Sequence, residues 1–194
     1  FEDRNRILER VRRLIGVDAF TEDGFRERTR PKKLKSFASV HSAIFIDRLF
    51  EQGELVNVVL AYRERPKGKA VPMGYGWLRS AEDWVEMIRR RGLPDSEAGA
   101  WIRLNPLDGL GIGDANVSRF RYALLESDCL PPDLQLGLFA KISLPIAAIV
   151  SSGGKSYHAW VKVDAADISE YRQAVARLFD TLAPFGIDTA NKNP

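Results

Sequence analysis

The chain reads as an α+β protein, an antiparallel sheet backed by helices, and three features of its second half carry that reading. Tyr122-Ala123-Leu124-Leu125 is an apolar run of strand length, and Pro145–Ser151 is a second. Ser156–Val163 follows a Gly153-Gly154 turn and returns as a strand, giving a hairpin. Tyr171, Ala174, Val175, Leu178, Phe179 and Leu182 then recur at helical spacing. Strand, helix, strand, strand, helix is most of a split βαβ unit.

From the start, Ile7, Val11, Leu14 and Ile15 predict an amphipathic helix over residues 3–15 that stops near Gly16. Residues 21–37 are polar and basic and read as loop. His41–Gln52 reads as a helix with Ile44, Phe45, Leu49 and Phe50 inward and Gly53 as its stop. Leu55–Tyr62 is valine-rich and reads as one strand, whereas Pro66, Gly68, Pro72 and Gly74 make Arg63–Gly76 a turn-rich connection. Ser80 with Asp83 resembles a capping box for a helix that buries Trp84, Val85 and Ile88 and ends at Gly92. Trp101–Leu104 is a short strand, Pro106–Asp114 a loop, Arg119–Asp128 a strand and Pro132–Lys141 a helix. Asp167 with Glu170 caps the last helix. These elements divide into an N-terminal helical, α+β module over residues 1–99, expected to contact nucleic acid, and a second module over 100–194.

A chain of 194 residues that is 45% hydrophobic and 28% charged can bury one core, or a core with a smaller satellite. No apolar run approaches the roughly 20 residues of a membrane helix, and the start, with Glu2, Asp3, Arg4 and Arg6, has no signal-peptide pattern. A membrane role is therefore not expected, and the expected location is the cytoplasm. Opening on Phe1 rather than Met, the chain reads as a piece of a longer protein. The single cysteine, Cys129, excludes an internal disulfide and argues against a structural zinc site. The net charge of +3 is mild, but Arg26, Arg28, Arg30, Lys32, Lys33 and Lys35 crowd one segment. Such a run suits a phosphate backbone, with Arg28, Arg30, Lys32 and Lys33 as the expected DNA contacts, or else a solvated loop. Arg89-Arg90-Arg91 reads instead as cations at a helix C-terminus.

Chemistry concentrates between Leu124 and His158. Alternation along a strand puts Glu126 and Asp128 on one side, and two carboxylates at a strand's end can grip a divalent cation holding a triphosphate. Ser152-Gly153-Gly154-Lys155-Ser156-Tyr157-His158 then offers backbone N–H groups, a lysine, a serine and a histidine suited to phosphate. It is not a P-loop, because Ile149 stands where that pattern needs glycine and a strand follows rather than a helix. No Gly-x-Ser-x-Gly elbow supports a serine hydrolase, and two histidines are too few for a histidine-built metal site. The pattern points to phosphoryl or nucleotidyl transfer.

Leu124-Leu125-Glu126-Ser127-Asp128 resembles the first motif of the archaeo-eukaryotic primase (primase-polymerase) superfamily, an apolar strand followed by two acids one apart. Ser156-Tyr157-His158 resembles its second motif, and the preceding Ser152-Gly153-Gly154-Lys155 is typical of phage and mobile-element members. Ile187-Asp188 is similar to its third, an apolar residue followed by an acid; a plain loop aspartate is the other reading of Asp188. The resemblance covers most of Ala100–Pro194.

It implies a catalytic module on an RNA-recognition-like sheet. It also implies metal-dependent nucleotidyl transfer on a DNA template, in replication of a phage or mobile element. Glu126, Asp128 and Asp188 would hold two magnesium or manganese ions, and Ser152 to Ser156 with His158 would hold the nucleotide. Arg103 and Asn105 are further expected nucleotide contacts. Expected partners are DNA, nucleoside triphosphates and a helicase domain or protein. Relatives continue past Pro194 into an arginine-bearing segment, so the module reads as truncated there. The rival from another class is a non-catalytic nucleic-acid-binding module of a replication protein. A nicking initiator would need a tyrosine beside a histidine-held metal, which the few histidines disfavour.

Overall fold

Asp3 accepts a hydrogen bond from the Asn5 amide at 3.0 Å and so caps the first helix, α1 (Arg4–Ile15). The computed structural model of the chain describes residues 3–16, 42–66, 69–94, 96–152 and 156–194. Gly16, at φ 73°, ends α1 by donating its N–H to the Arg12 carbonyl. The described chain forms two units. One joins α1 to the chain from Arg121 to Asn193, and the other runs from Ala38 to Phe120. The boundary expected at 99/100 falls inside the second unit, because the short strand at Trp101 completes a sheet begun in the first half.

That second unit starts with α2 (Ser42–Leu49), which packs on α3 (Ala81–Arg91). Its sheet has the order β4-β1-β5, with β1 (Leu55–Val59) central, β4 (Trp77–Ser80) and β5 (Trp101–Ile102) at its edges, and antiparallel pairing throughout. Val56, Val58 and Val59 are buried, as a central strand requires. β2 (Tyr62–Arg65) and β3 (Lys69–Pro72) form a separate antiparallel hairpin. The expected strand Leu55–Tyr62 is therefore two strands, and the expected connection Arg63–Gly76 holds most of a hairpin. Periodicity hid that hairpin because Arg63, Glu64 and Arg65 are all exposed and no apolar alternation marks them. Ser80 does cap α3, accepting from the Asp83 amide at 3.2 Å. Trp84, fully buried, donates its indole N–H to the Val56 carbonyl at 2.8 Å and ties α3 to β1.

In the other unit, β6 (Phe120–Leu125), α4 (Pro132–Lys141), β7 (Ile146–Ser151), β8 (Tyr157–Ala165) and α5 (Ile168–Leu182) succeed one another. The three strands form a sheet in the order β6-β8-β7, with β7 and β8 antiparallel. Asp167 caps α5 by accepting from the Ser169 and Glu170 amides at 2.8 and 2.9 Å, and Glu170 reaches back to the Ala166 amide. Tyr171, Val175, Phe179 and Leu182 form its buried stripe. α4 has no such stripe. Leu134 through Phe139 are buried in succession, since β8 packs against this helix and α1 packs against it as well. The architecture is α+β, and no described helix is long and apolar enough to cross a membrane.

Candidate functional site

β6 ends at Leu125, so Glu126 and Asp128 stand in the turn beyond it rather than on the strand expected to reach Asp128. The turn keeps the strand's alternation for one more step. Ser127 is 1% exposed, while Glu126 on one side is half-buried and Asp128 on the other is exposed. Ser127 has a structural reason to point inward. Its hydroxyl donates to the Gly186 carbonyl at 2.6 Å and accepts the Leu130 amide at 3.1 Å. A buried serine between two acids thus turns both carboxylates the other way.

The hairpin brings the second motif to the same end of the sheet. His158 pairs with Val150 across the β7–β8 ladder. Its Nε2 lies 3.1 Å from Glu126 Oε2, a hydrogen-bonded contact that becomes an ion pair when the imidazole is protonated. At the hairpin's mouth the Ser152 amide donates to the Ser156 carbonyl at 2.9 Å. The Ser156 amide donates to Ser152 Oγ at 3.1 Å, and the two hydroxyls are 3.0 Å apart. Gly153, Gly154 and Lys155 lie outside the described residues. Ser156 stands just before β8, and His158 is the second residue of that strand.

Gln135 holds these pieces in register. It is fully buried on α4; its Nε2 donates to the Ser127 carbonyl at 3.1 Å and to the Leu130 carbonyl at 2.7 Å. Its Oε1 accepts the Tyr157 amide at 2.8 Å. One side chain therefore joins the turn bearing the acids to the residue beside His158. Its signal in the sequence is a lone amide inside Leu134-Gln135-Leu136-Gly137-Leu138-Phe139, where burial demands hydrogen-bond partners.

Asp188 comes to the same turn from the far end of the chain. After α5, a short 3-10 turn, Ala183–Phe185, leads to Gly186 at φ 81°, and the Asp188 amide then donates to the Glu126 carbonyl at 2.8 Å. One carboxylate oxygen, Oδ1, accepts the Ala190 amide at 2.9 Å. Gly186 leaves no room for a side chain, since a Cβ would lie 2.6 Å from Cys129 Sγ and 2.8 Å from Ile7 Cγ2. Gly186→Ala should therefore lower stability by about 2–3 kcal/mol, from left-handed strain and overpacking together, read as a lowered melting temperature. A melting temperature equal to wild type would mean that this approach is not tight.

The His158 side chain thus meets that of Glu126, and Asp188 meets Glu126 through the backbone, with Asp128 in the same turn. Among the described residues, no group of three or more His, Cys, Asp and Glu is gathered as a metal site. Arg103 and Asn105 belong to the other unit. Arg103 pairs with Asp114 at 3.0 Å and donates to the Ile112 carbonyl, while Asn105 is 0% exposed. As placed, Asn105 has no side-chain surface for a nucleotide. The expected DNA contacts Arg28, Arg30, Lys32 and Lys33 lie outside the described residues. No family model matches the chain, and no curated protein or solved structure matches it.

Proposed function

We propose that the chain is the catalytic module of a primase-polymerase, joining nucleotides on a DNA template with a divalent cation. One observation supports this above the rest: three motifs far apart in sequence meet at one end of the β6-β8-β7 sheet. His158 touches Glu126, and the Asp188 amide is bonded to the Glu126 carbonyl. The strand order supports the finer fold reading too, for a split βαβ unit sets its third strand between the first two. The Asp188 amide bonds to the Glu126 carbonyl just past β6, and β6 is the edge on which an RNA-recognition-like sheet would carry a fourth strand.

The donor chemistry fits magnesium or manganese. Carboxylate oxygens are the hard ligands such ions prefer, and Mg²⁺ is commonly held by only one or two carboxylates plus substrate phosphates. Glu126 and Asp128 would hold it, with Asp188 beside them. When bound, the cation neutralises phosphate charge and favours the ionised 3′-hydroxyl. The chain's own part is to position. His158 touches Glu126, where an imidazolium could donate to a phosphate oxygen. Ser156, just before β8, would add a hydroxyl. The partners in this reading are a DNA template, nucleoside triphosphates and a helicase.

Titration of the full chain with a nucleoside triphosphate, with and without manganese, tests the proposal. Binding should require the cation, and a primed template should then be extended. Cation-independent or absent nucleotide binding, with DNA still bound, would favour the non-catalytic nucleic-acid-binding module.

A further inference from the structure

Along the start of β4, the second unit displays rings that its core does not absorb. Tyr75 is 80% exposed, Trp77 45% and nearby Met73 51%. Single exposed apolar side chains are ordinary, but a run of three within five residues is a patch that asks for an occupant.

The display is built rather than incidental. Asn57, buried at 2% exposure on the central strand, donates its Nδ2 to the Tyr75 carbonyl at 2.8 Å and lies 3.4 Å from the Trp77 carbonyl. Gly76 between them has φ +67°, and a Cβ there would lie 2.5 Å from the Val58 carbonyl oxygen and 2.7 Å from Val59 Cγ2. The backbone hugs β1 at that point, which leaves the Tyr75 and Trp77 rings outside. Trp77 is further fixed by stacking on Trp84, ring centroids 6.2 Å apart and 15° from parallel. The guanidinium of Arg79 lies 5.9 Å from the Trp77 ring and 5.8 Å from that of Trp84. The Trp77 ring, fixed in this way, loses little side-chain entropy on binding.

We propose that this face binds single-stranded nucleic acid, with bases stacked on Tyr75 and Trp77 and Arg79 meeting the backbone phosphates. Flat rings beside a cation match a ligand made of flat bases on an anionic chain. A duplex has its bases already stacked, so the rings favour single strands. The proposal does not rest on the acidic site, which belongs to the other unit.

The test uses the full chain in chelator, without nucleotide, and follows fluorescence anisotropy of a labelled oligothymidylate of about 15 nucleotides, roughly one site's length. Wild type should prefer the single strand to a duplex of equal length. Tyr75→Ala and Trp77→Ala should each weaken single-strand binding by roughly fivefold to a hundredfold while moving duplex binding little. Arg79→Gln should lower the salt slope by about one. Tyr75 is so exposed that its variant should keep the wild-type melting temperature, so its result stands even if Trp77→Ala folds poorly. Unchanged single-strand affinity in folded Tyr75→Ala overturns the proposal. So does self-association of wild type that Tyr75→Ala abolishes without changing oligonucleotide binding, which would assign the face to a second copy of the chain.

Discussion

Asp128→Ala should reduce template-directed nucleotide incorporation about a thousandfold or more, with the melting temperature unchanged. The loss follows from the charge that phosphoryl transfer concentrates on the phosphate oxygens and the attacking hydroxyl. A carboxylate that holds the neutralising cation contributes several kcal/mol to the barrier, and about 1.4 kcal/mol is worth tenfold in rate. The unchanged stability follows from geometry. Asp128 is exposed, and the turn around it is held by Ser127 and Gln135 rather than by its own side chain. Surface substitutions of that kind move stability by about 0.5 kcal/mol at most. Single-turnover primer extension in manganese, with a melting curve of the same sample, reads both quantities. Incorporation at the wild-type rate by a folded Asp128→Ala variant would remove the acid from the metal site and with it the strongest part of the functional reading.

The contact between His158 and Glu126 gives the site an internal logic. A carboxylate has two oxygens, and the imidazole addresses one of them, Oε2. In the proposed reading a cation held at Glu126 would compete with that imidazole for the carboxylate. His158 would then be released to donate to an anion bound beside the cation, the triphosphate of the proposed reaction.

Much of this end of the sheet is legible in the residues themselves. β6 and β7 are marked by apolar runs of strand length, the β7–β8 hairpin by its Gly-Gly turn, and α5 by its Asp167 cap and a stripe of period 3.6. What escaped the sequence is the set of polar and glycine contacts that depend on where distant segments return. Ser127 sits in a motif yet works as a buried donor to Gly186, which the order of residues cannot announce. The β2–β3 hairpin escaped for another reason: exposed Arg63, Glu64 and Arg65 have no buried face to alternate. The 99/100 boundary failed because β5 pairs backward onto β1, a non-local contact with no local mark. Asn105 is a core amide and Arg103 an ion-pair partner of Asp114, contacts that leave no local mark in the sequence around them.

Gln135→Leu should cost the fold about 3 kcal/mol and disorder the site from a distance. Leucine has nearly the volume of glutamine, so packing changes little. The loss is instead that the Ser127 and Leu130 carbonyls and the Tyr157 amide lose this partner in a buried place. Each unsatisfied buried group costs about 1–3 kcal/mol, less where relaxation or water finds a substitute. For a chain of this size that corresponds to a fall of roughly 6–12 °C in melting temperature. The second effect separates positioning from mere stability. Gln135 joins the acidic turn to the residue beside His158, so its removal should loosen the contact between His158 and Glu126. The chain has only two histidines, so the His158 imidazole signal can be assigned in a nuclear magnetic resonance spectrum from a His158→Ala control. That signal should move in Gln135→Leu at a temperature where the variant is fully folded. A melting temperature within about a degree of wild type, or an unmoved His158 signal, would show that the turn and the hairpin hold their register without this amide.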